Sequence, residues 1–274
     1  MKIGVRAHDF GKQNLDSLAA KIKNAGFDCI QLALTKAIVG VNYFNDITEK
    51  LLEEVYQAFD KHELEITVLG CYIEPSVSDK SERFRNVDIF KQGLNHAKKL
   101  GVGIVGTETT HLDINATASE REKVYSLLRD SVLRMVEEAE KVGVYVGIEP
   151  VAEHTLNTPE LTRRLLDEVN STQLKVIFDP VNLVLPGTIH NQSQIFNEMF
   201  DHLGNEIEVM HIKDIVIEGG EKTWRNIGDG VIDYALIINR LKTLKPQIRL
   251  LREGAKVDSY TRDIDRLKNL LKNS

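Results

Sequence analysis

The feature that most constrains this chain is one alternation sustained along its whole length. Short apolar, β-branched runs that fit strands recur eight times, at residues 2–7, 28–32, 65–71, 102–107, 144–149, 174–179, 207–213 and 248–253. Each is followed by a segment with helical apolar spacing, at residues 15–25, 47–62, 84–100, 120–142, 159–169, 194–203, 232–244 and 260–271. Gly26, Gly101 and Gly143 stand where helices must stop before the next strand begins. A helix after every strand carries the chain back to the starting edge, so the strands are parallel. Eight such units predict an α/β fold, a single (β/α)8 TIM barrel over residues 1–274. An open doubly wound sheet would carry a glycine-rich phosphate loop after an early strand. The first strand instead runs into RAHDFGKQN, and neither GxGxxG nor GxxxxGK[ST] occurs. The long excursions, 33–46, 72–82, 108–119 and 215–231, all follow strands, on the face where barrels keep their chemistry.

Composition narrows the class. With 42% hydrophobic and 28% charged residues the chain supports a full core, which excludes disorder and coiled coil. A net charge of −6 without a basic stretch argues against a nucleic-acid partner, because nonspecific binding of that kind is mostly phosphate neutralisation. No run approaches the roughly 18–20 apolar residues that span a bilayer, and MKIGVRAHDF lacks the apolar core of a signal peptide, so no membrane association and a cytoplasmic location are expected. Cys29 and Cys71 lie inside apolar runs and read as small core side chains.

The chemistry concentrates at the ends of the last four strands. VYVGIEP ends in Glu149, LKVIFDP in Asp179, IEVMHIKD carries His211, and IRLLREG ends in Glu253. Taken singly, Glu149 or Asp179 reads as a helix cap or loop charge, and His211 as a hydrogen-bonded core histidine. Together, at matching ends of consecutive parallel strands, they converge on one mouth. Three close carboxylates repel, and burying them unpaired costs about several kcal/mol each. A divalent cation between them is the economical answer. The oxygen-rich, mixed O/N donor set suits Mn²⁺ first, with Mg²⁺, Co²⁺ or Zn²⁺ as alternatives.

These residues also carry a resemblance. IEPVAEHT, FDPVN, HIKD and NIGDGVIDY, with GVRAHDFG, GCYIEPSVSD and GTET upstream, resemble the sugar phosphate isomerase/epimerase family of the xylose isomerase-like TIM barrel superfamily. That group includes ketose 3-epimerases, hydroxypyruvate isomerase and inosose dehydratase. The likeness covers essentially the whole chain and is specific for the superfamily rather than for a substrate. It implies metal ligands at Glu149, Asp179, His211 and Glu253, with Glu149 and Glu253 doubling as the acid/base pair. It implies a small sugar or sugar phosphate as substrate, and a homo-oligomer, since related barrels form dimers or tetramers.

The chemistry follows from first principles. A proton next to a carbonyl is poorly acidic, and a cation against the carbonyl and neighbouring hydroxyl oxygens stabilises the enediolate left when it departs. One glutamate removes the proton. Its return by the other, from the opposite face, inverts the centre, whereas return to the adjacent carbon isomerises the sugar. Substrate-binding candidates at the mouth are His8, Asp9, Glu108, His154, Asn182 and Lys213; the plainer alternatives are a loop cap for Asp9, a solvated charge for Glu108, a loop histidine for His154 and an ion pair with Asp214 for Lys213. Lys222, Trp224 and Arg225 lie in the seventh loop, placed to close over a substrate or to stand as an exposed basic loop, and Arg252 should point away from the mouth.

Two positions depart from the ketose 3-epimerases. Asn182 replaces a histidine three residues after the sixth-strand Asp, and Ile217 replaces an arginine six residues after His211. The first departure, with only 8 histidines and an acidic balance, also speaks against an endonuclease IV-like abasic-site nuclease. The remaining alternatives are a lyase resembling inosose dehydratase, which expels a β-hydroxyl from the same enolate, and a barrel that binds a sugar without turning it over.

Overall fold

All eight apolar runs form strands of one closed parallel barrel. The computed structural model describes residues 1–254 and 259–273. The barrel strands are β1 (Lys2–Arg6), β2 (Cys29–Leu32), β3 (Glu65–Gly70), β4 (Ile104–Glu108), β5 (Tyr145–Glu149), β6 (Leu174–Phe178), β7 (Ile207–Ile212) and β10 (Arg249–Arg252). They neighbour one another in the order β1-β10-β7-β6-β5-β4-β3-β2, and β2 closes onto β1. A hairpin of β8 (Asp214–Glu218) and β9 (Glu221–Arg225) follows β7. Among the described residues eight principal helices surround the barrel: α1 (Leu15–Asn24), α2 (Glu49–Lys61), α3 (Lys80–Leu100), α4 (Ala118–Val142), α5 (Pro159–Val169), α6 (Gln192–Leu203), α7 (Tyr234–Leu244) and α8 (Tyr260–Asn273). None of the described helices is long and apolar enough to cross a membrane.

Three helices, α3, α4 and α6, start earlier than their apolar spacing predicts, the first two at polar caps. Apolar spacing marks where a helix first faces the core, whereas the first turn is set by a polar cap. Asp79 accepts a hydrogen bond from the Glu82 amide and starts α3 at Lys80, while Thr117 and Glu120 form a reciprocal capping box that starts α4 at Ala118. Both helices stop at glycines in the left-handed conformation, Gly101 at φ 69° and Gly143 at φ 71°. The predicted loop 215–231 is the other difference, since it contains the hairpin. Gly219 and Gly220, at φ 61° and 85°, make the two-residue turn with positive φ at both centres that matches strand twist.

Strand alternation sorts side chains into the barrel interior and the layer under the helices. Cys29, Val68, Ile104, Ile177, Val209 and Leu251 pack together as the plug of the barrel. Space for them is left by Gly147, where a Cβ would sit 2.8 Å from Ile104 Cδ1. Two residues further along β5, β6, β7 and β10 come Glu149, Asp179, His211 and Glu253, so the plug is the floor on which the polar groups stand.

The opposite parity behaves as expected. Arg252 points outward, and its Nε donates to Asp263 Oδ2 of α8 at 2.8 Å, with both side chains buried. Removing one partner strands a buried charge, so Arg252→Met should destabilise the fold by about 3–5 kcal/mol in urea unfolding. The two cysteines are likewise buried, and burial pushes the Cys29 thiol up to about 12 and Cys71 higher still. Neither should react with a thiol-specific disulfide reagent at pH 8 until the protein is denatured.

Candidate active site at the barrel mouth

The barrel brings the four predicted residues together around one atom. His211 Nδ1 lies 3.2 Å from Glu149 Oε2, 3.2 Å from Glu253 Oε1 and 3.8 Å from Asp179 Oδ2. All four side chains are buried. Ligand atoms of Glu149, Asp179 and His211 lie within 4.8 Å of one another, and Glu253 approaches the same imidazole nitrogen from β10.

Each group has one side tied down and one side turned inward. Asp179 Oδ1 accepts hydrogen bonds from the Val181 and Asn182 amides, capping a single helical turn at Pro180–Leu183. The cap reading and the site reading therefore both hold for this residue, one per oxygen. Glu149 Oε1 accepts from Asn182 Nδ2 at 2.5 Å, leaving Oε2 to face the histidine. His211 Nε2 donates to Gln31 Oε1 at 2.7 Å, and Gln31 Nε2 donates to the Tyr72 hydroxyl at 2.7 Å. That chain holds the ring so that Nδ1, which makes no hydrogen bond, is aimed at the carboxylates.

Positive charge is concentrated here too. Lys213 Nζ bridges Asp179 Oδ2 at 2.7 Å and Glu253 Oε2 at 3.0 Å, and Arg6 reaches Glu253 at 3.5 Å while pairing with Asp9. Burial disfavours charge on Glu253, but His211, Lys213 and Arg6 outweigh it and hold the carboxyl well below the usual range. Burial likewise opposes a charged His211, yet Glu253 and Glu149 prevail and draw its pKa up to about 9. Burial keeps Asp179 above the ordinary carboxyl value. The buried lone pair of His211 must thus face either a proton or a cation, and three carboxylate oxygens beside one imidazole nitrogen form a donor set that a hard divalent ion fits.

The secondary candidates divide. Asn182 and Lys213 belong to the cluster itself, holding Glu149 and neutralising Asp179 and Glu253. The ion pair between Lys213 and Asp214 expected as an alternative does not form. Asp214 is buried and accepts from the amides of Ile215, Gly228, Gly230 and Ile232, stapling the base of the hairpin. Glu108 pairs in register with Glu149 and lies 3.9 Å from His154 Nδ1. Burial, then Glu149 and Glu253, push Glu108 up to about 7. His8 stands edge-on to Tyr72, with ring centres 6.4 Å apart, and burial beside Arg6 lowers it to about 4. Arg6 and Gln31 were missed by the sequence reading. Their signal was a polar residue inside an otherwise apolar strand, in IGVRA and CIQLAL.

A family model described as xylose isomerase-like TIM barrel matches residues 19–270. No curated protein matches the sequence significantly. Among solved structures, a D-tagatose 3-epimerase-like protein superposes with a TM-score of 0.81 at 19% identity, covering 99% of this chain and 97% of the other. A D-psicose 3-epimerase from Clostridium cellulolyticum H10, solved with D-tagatose, gives 0.75 at 16% identity over 99% of both chains. A xylose isomerase-like TIM barrel protein from Mycobacterium smegmatis, in complex with magnesium, gives 0.72 at 17% identity over 99% and 95%. At these identities the likeness is one of fold.

If a dication occupies the cluster, adding it at a hundredfold its Kd to metal-stripped protein should stabilise the fold by about 2.7 kcal/mol. The expected readout is a melting temperature raised by several degrees with Mn²⁺ or Mg²⁺, and abolition of that rise in Asp179→Asn.

Proposed function

Because the chain belongs to the xylose isomerase-like TIM barrel family, we propose that it is a divalent-metal-dependent isomerase or epimerase of a sugar or sugar phosphate. The observation that carries this reading is the convergence of Glu149, Glu253 and Asp179 on the unbonded Nδ1 of His211, above an apolar floor. The fold likeness to a D-psicose 3-epimerase solved with D-tagatose supports a small ketose as the type of substrate, and the magnesium complex supports a hard dication.

Glu149, Asp179, His211 and Glu253 would hold the ion. When bound, it supplies fixed positive charge that polarises a substrate carbonyl oxygen. The chain's own groups do the rest. Glu253, kept ionised by Lys213 and Arg6, is the base that takes the proton next to the carbonyl. Glu149, oriented by Asn182, would act in its carboxylic-acid form and deliver a second proton to the enediolate, so that a turnover leaves Glu253 protonated and Glu149 ionised until solvent resets them. Delivery to the same carbon from the opposite face gives an epimer, and delivery to the neighbouring carbon gives an aldose–ketose isomer. The plug beneath gives the site an apolar floor.

The test is a panel of ketoses, aldoses and their phosphates incubated in heavy water with Mn²⁺. Solvent deuterium should enter next to the carbonyl of at least one of them. Glu149→Gln and Glu253→Gln should each slow exchange by about 10²–10⁴-fold. Absence of exchange with every sugar, while metal still binds, would make the protein a sugar-binding barrel. Loss of a β-hydroxyl would make it a lyase.

A further inference from the structure

The hairpin after β7 does more than connect elements. Its base is stapled by Asp214, and Ile215 is fully buried beneath it. Cross-strand pairs Ile215 with Trp224 and Ile217 with Lys222 put these four side chains on one face. That face meets the mouth. The Trp224 ring lies 5.4 Å from Lys213 Nζ, and its Cε3 and Cζ3 would come within 3.8 Å of a Cβ on Gly254, the residue after Glu253. Trp224 nevertheless remains 55% exposed. Lys222 reaches over β6, donating to the Val181 carbonyl at 2.9 Å, between Asp179 and Asn182.

Lys222 is a half-buried ammonium that forms no ion pair with a described residue; Glu153 and Asp179 attract it from beyond ion-pair distance. Holding a desolvated cation beside a buried ion cluster is costly unless an anion completes it. With the dication of the proposed function in place, its two charges and that of Lys213 would match the three carboxylates of the cluster and leave the charge of Lys222 surplus. An exposed indole next to it offers an apolar platform for the C–H face of a sugar.

We propose that the hairpin selects an anionic sugar: Lys222 binds a phosphate or carboxylate at the end of the substrate remote from the reacting carbonyl, and Trp224 stacks on the carbon chain between. This rests on the isomerase/epimerase reading for the identity of the reacting end, but its test needs no turnover. Trp224 is the chain's single tryptophan, so intrinsic fluorescence reports occupancy of this wall directly.

The Mg²⁺-loaded protein is titrated with D-fructose 6-phosphate, D-fructuronate and D-fructose as probes. An anionic probe should shift Trp224 emission at a concentration about tenfold or more below that of D-fructose. Lys222→Met should erase the difference and Lys222→Arg should retain it, with circular dichroism unchanged in both. The phosphate and carboxylate arms separate the two kinds of anion. Equal midpoints for all three probes in the wild type, or an unchanged difference in Lys222→Met, would overturn the proposal. Deuterium exchange without anion preference removes this inference alone, whereas anion preference without exchange removes the catalytic reading alone.

Discussion

Packing three carboxylates against one imidazole nitrogen, with all four side chains buried, is the interaction on which the rest of this molecule turns. Such a cluster is unstable by itself, because each buried charge has lost its water and each carboxylate repels the next. The structure answers with positive charge from two directions, Lys213 between Asp179 and Glu253 and Arg6 against Glu253, and it turns towards the oxygens a histidine nitrogen that only a proton or a cation can satisfy. Backbone amides and Asn182 hold the outer oxygens, so the inner ones cannot relax away. This is preorganisation in a literal sense, since the cost of gathering like charges is met during folding rather than during reaction.

Strand parity links that site to stability. Along β6, β7 and β10 the inward positions read plug residue, then polar group, and along β5 Gly147 and then Glu149, so the same alternation that fills the barrel also aims the functional side chains. One residue out of phase, Arg252 leaves the barrel and joins α8 through Asp263, which ties the strand bearing Glu253 to the outer layer. A shift of register by one residue would bury the arginine in the plug and turn the glutamate outward, so fold and chemistry are specified together.

The walls of the mouth are built differently from its floor. The floor is rigid strand, whereas the walls come from loops with their own devices: the Asp214 staple under the hairpin, and the antiparallel bridge between His111 and His154 joining the fourth and fifth loops. Loops of this kind vary what a barrel recognises while leaving the reacting centre untouched. Trp224 and Lys222 are carried by such a wall, within reach of the cluster but outside it.

The amino-acid sequence by itself determined the eightfold repeat, the parallel barrel, and which polar residues terminate the last four strands, because apolar periodicity and strand-end punctuation are local properties. It also settled the outward course of Arg252, which needs only the two-residue period. The partners of Lys213 and Asn182, the tether of His211 to Gln31 across 180 residues, and the hairpin face shared by Lys222 and Trp224 were decided by tertiary structure alone. Those depend on barrel closure and on which loops fold inward. Distances between residues far apart in the chain follow from the sum of all the strand registers, and no local pattern encodes that sum.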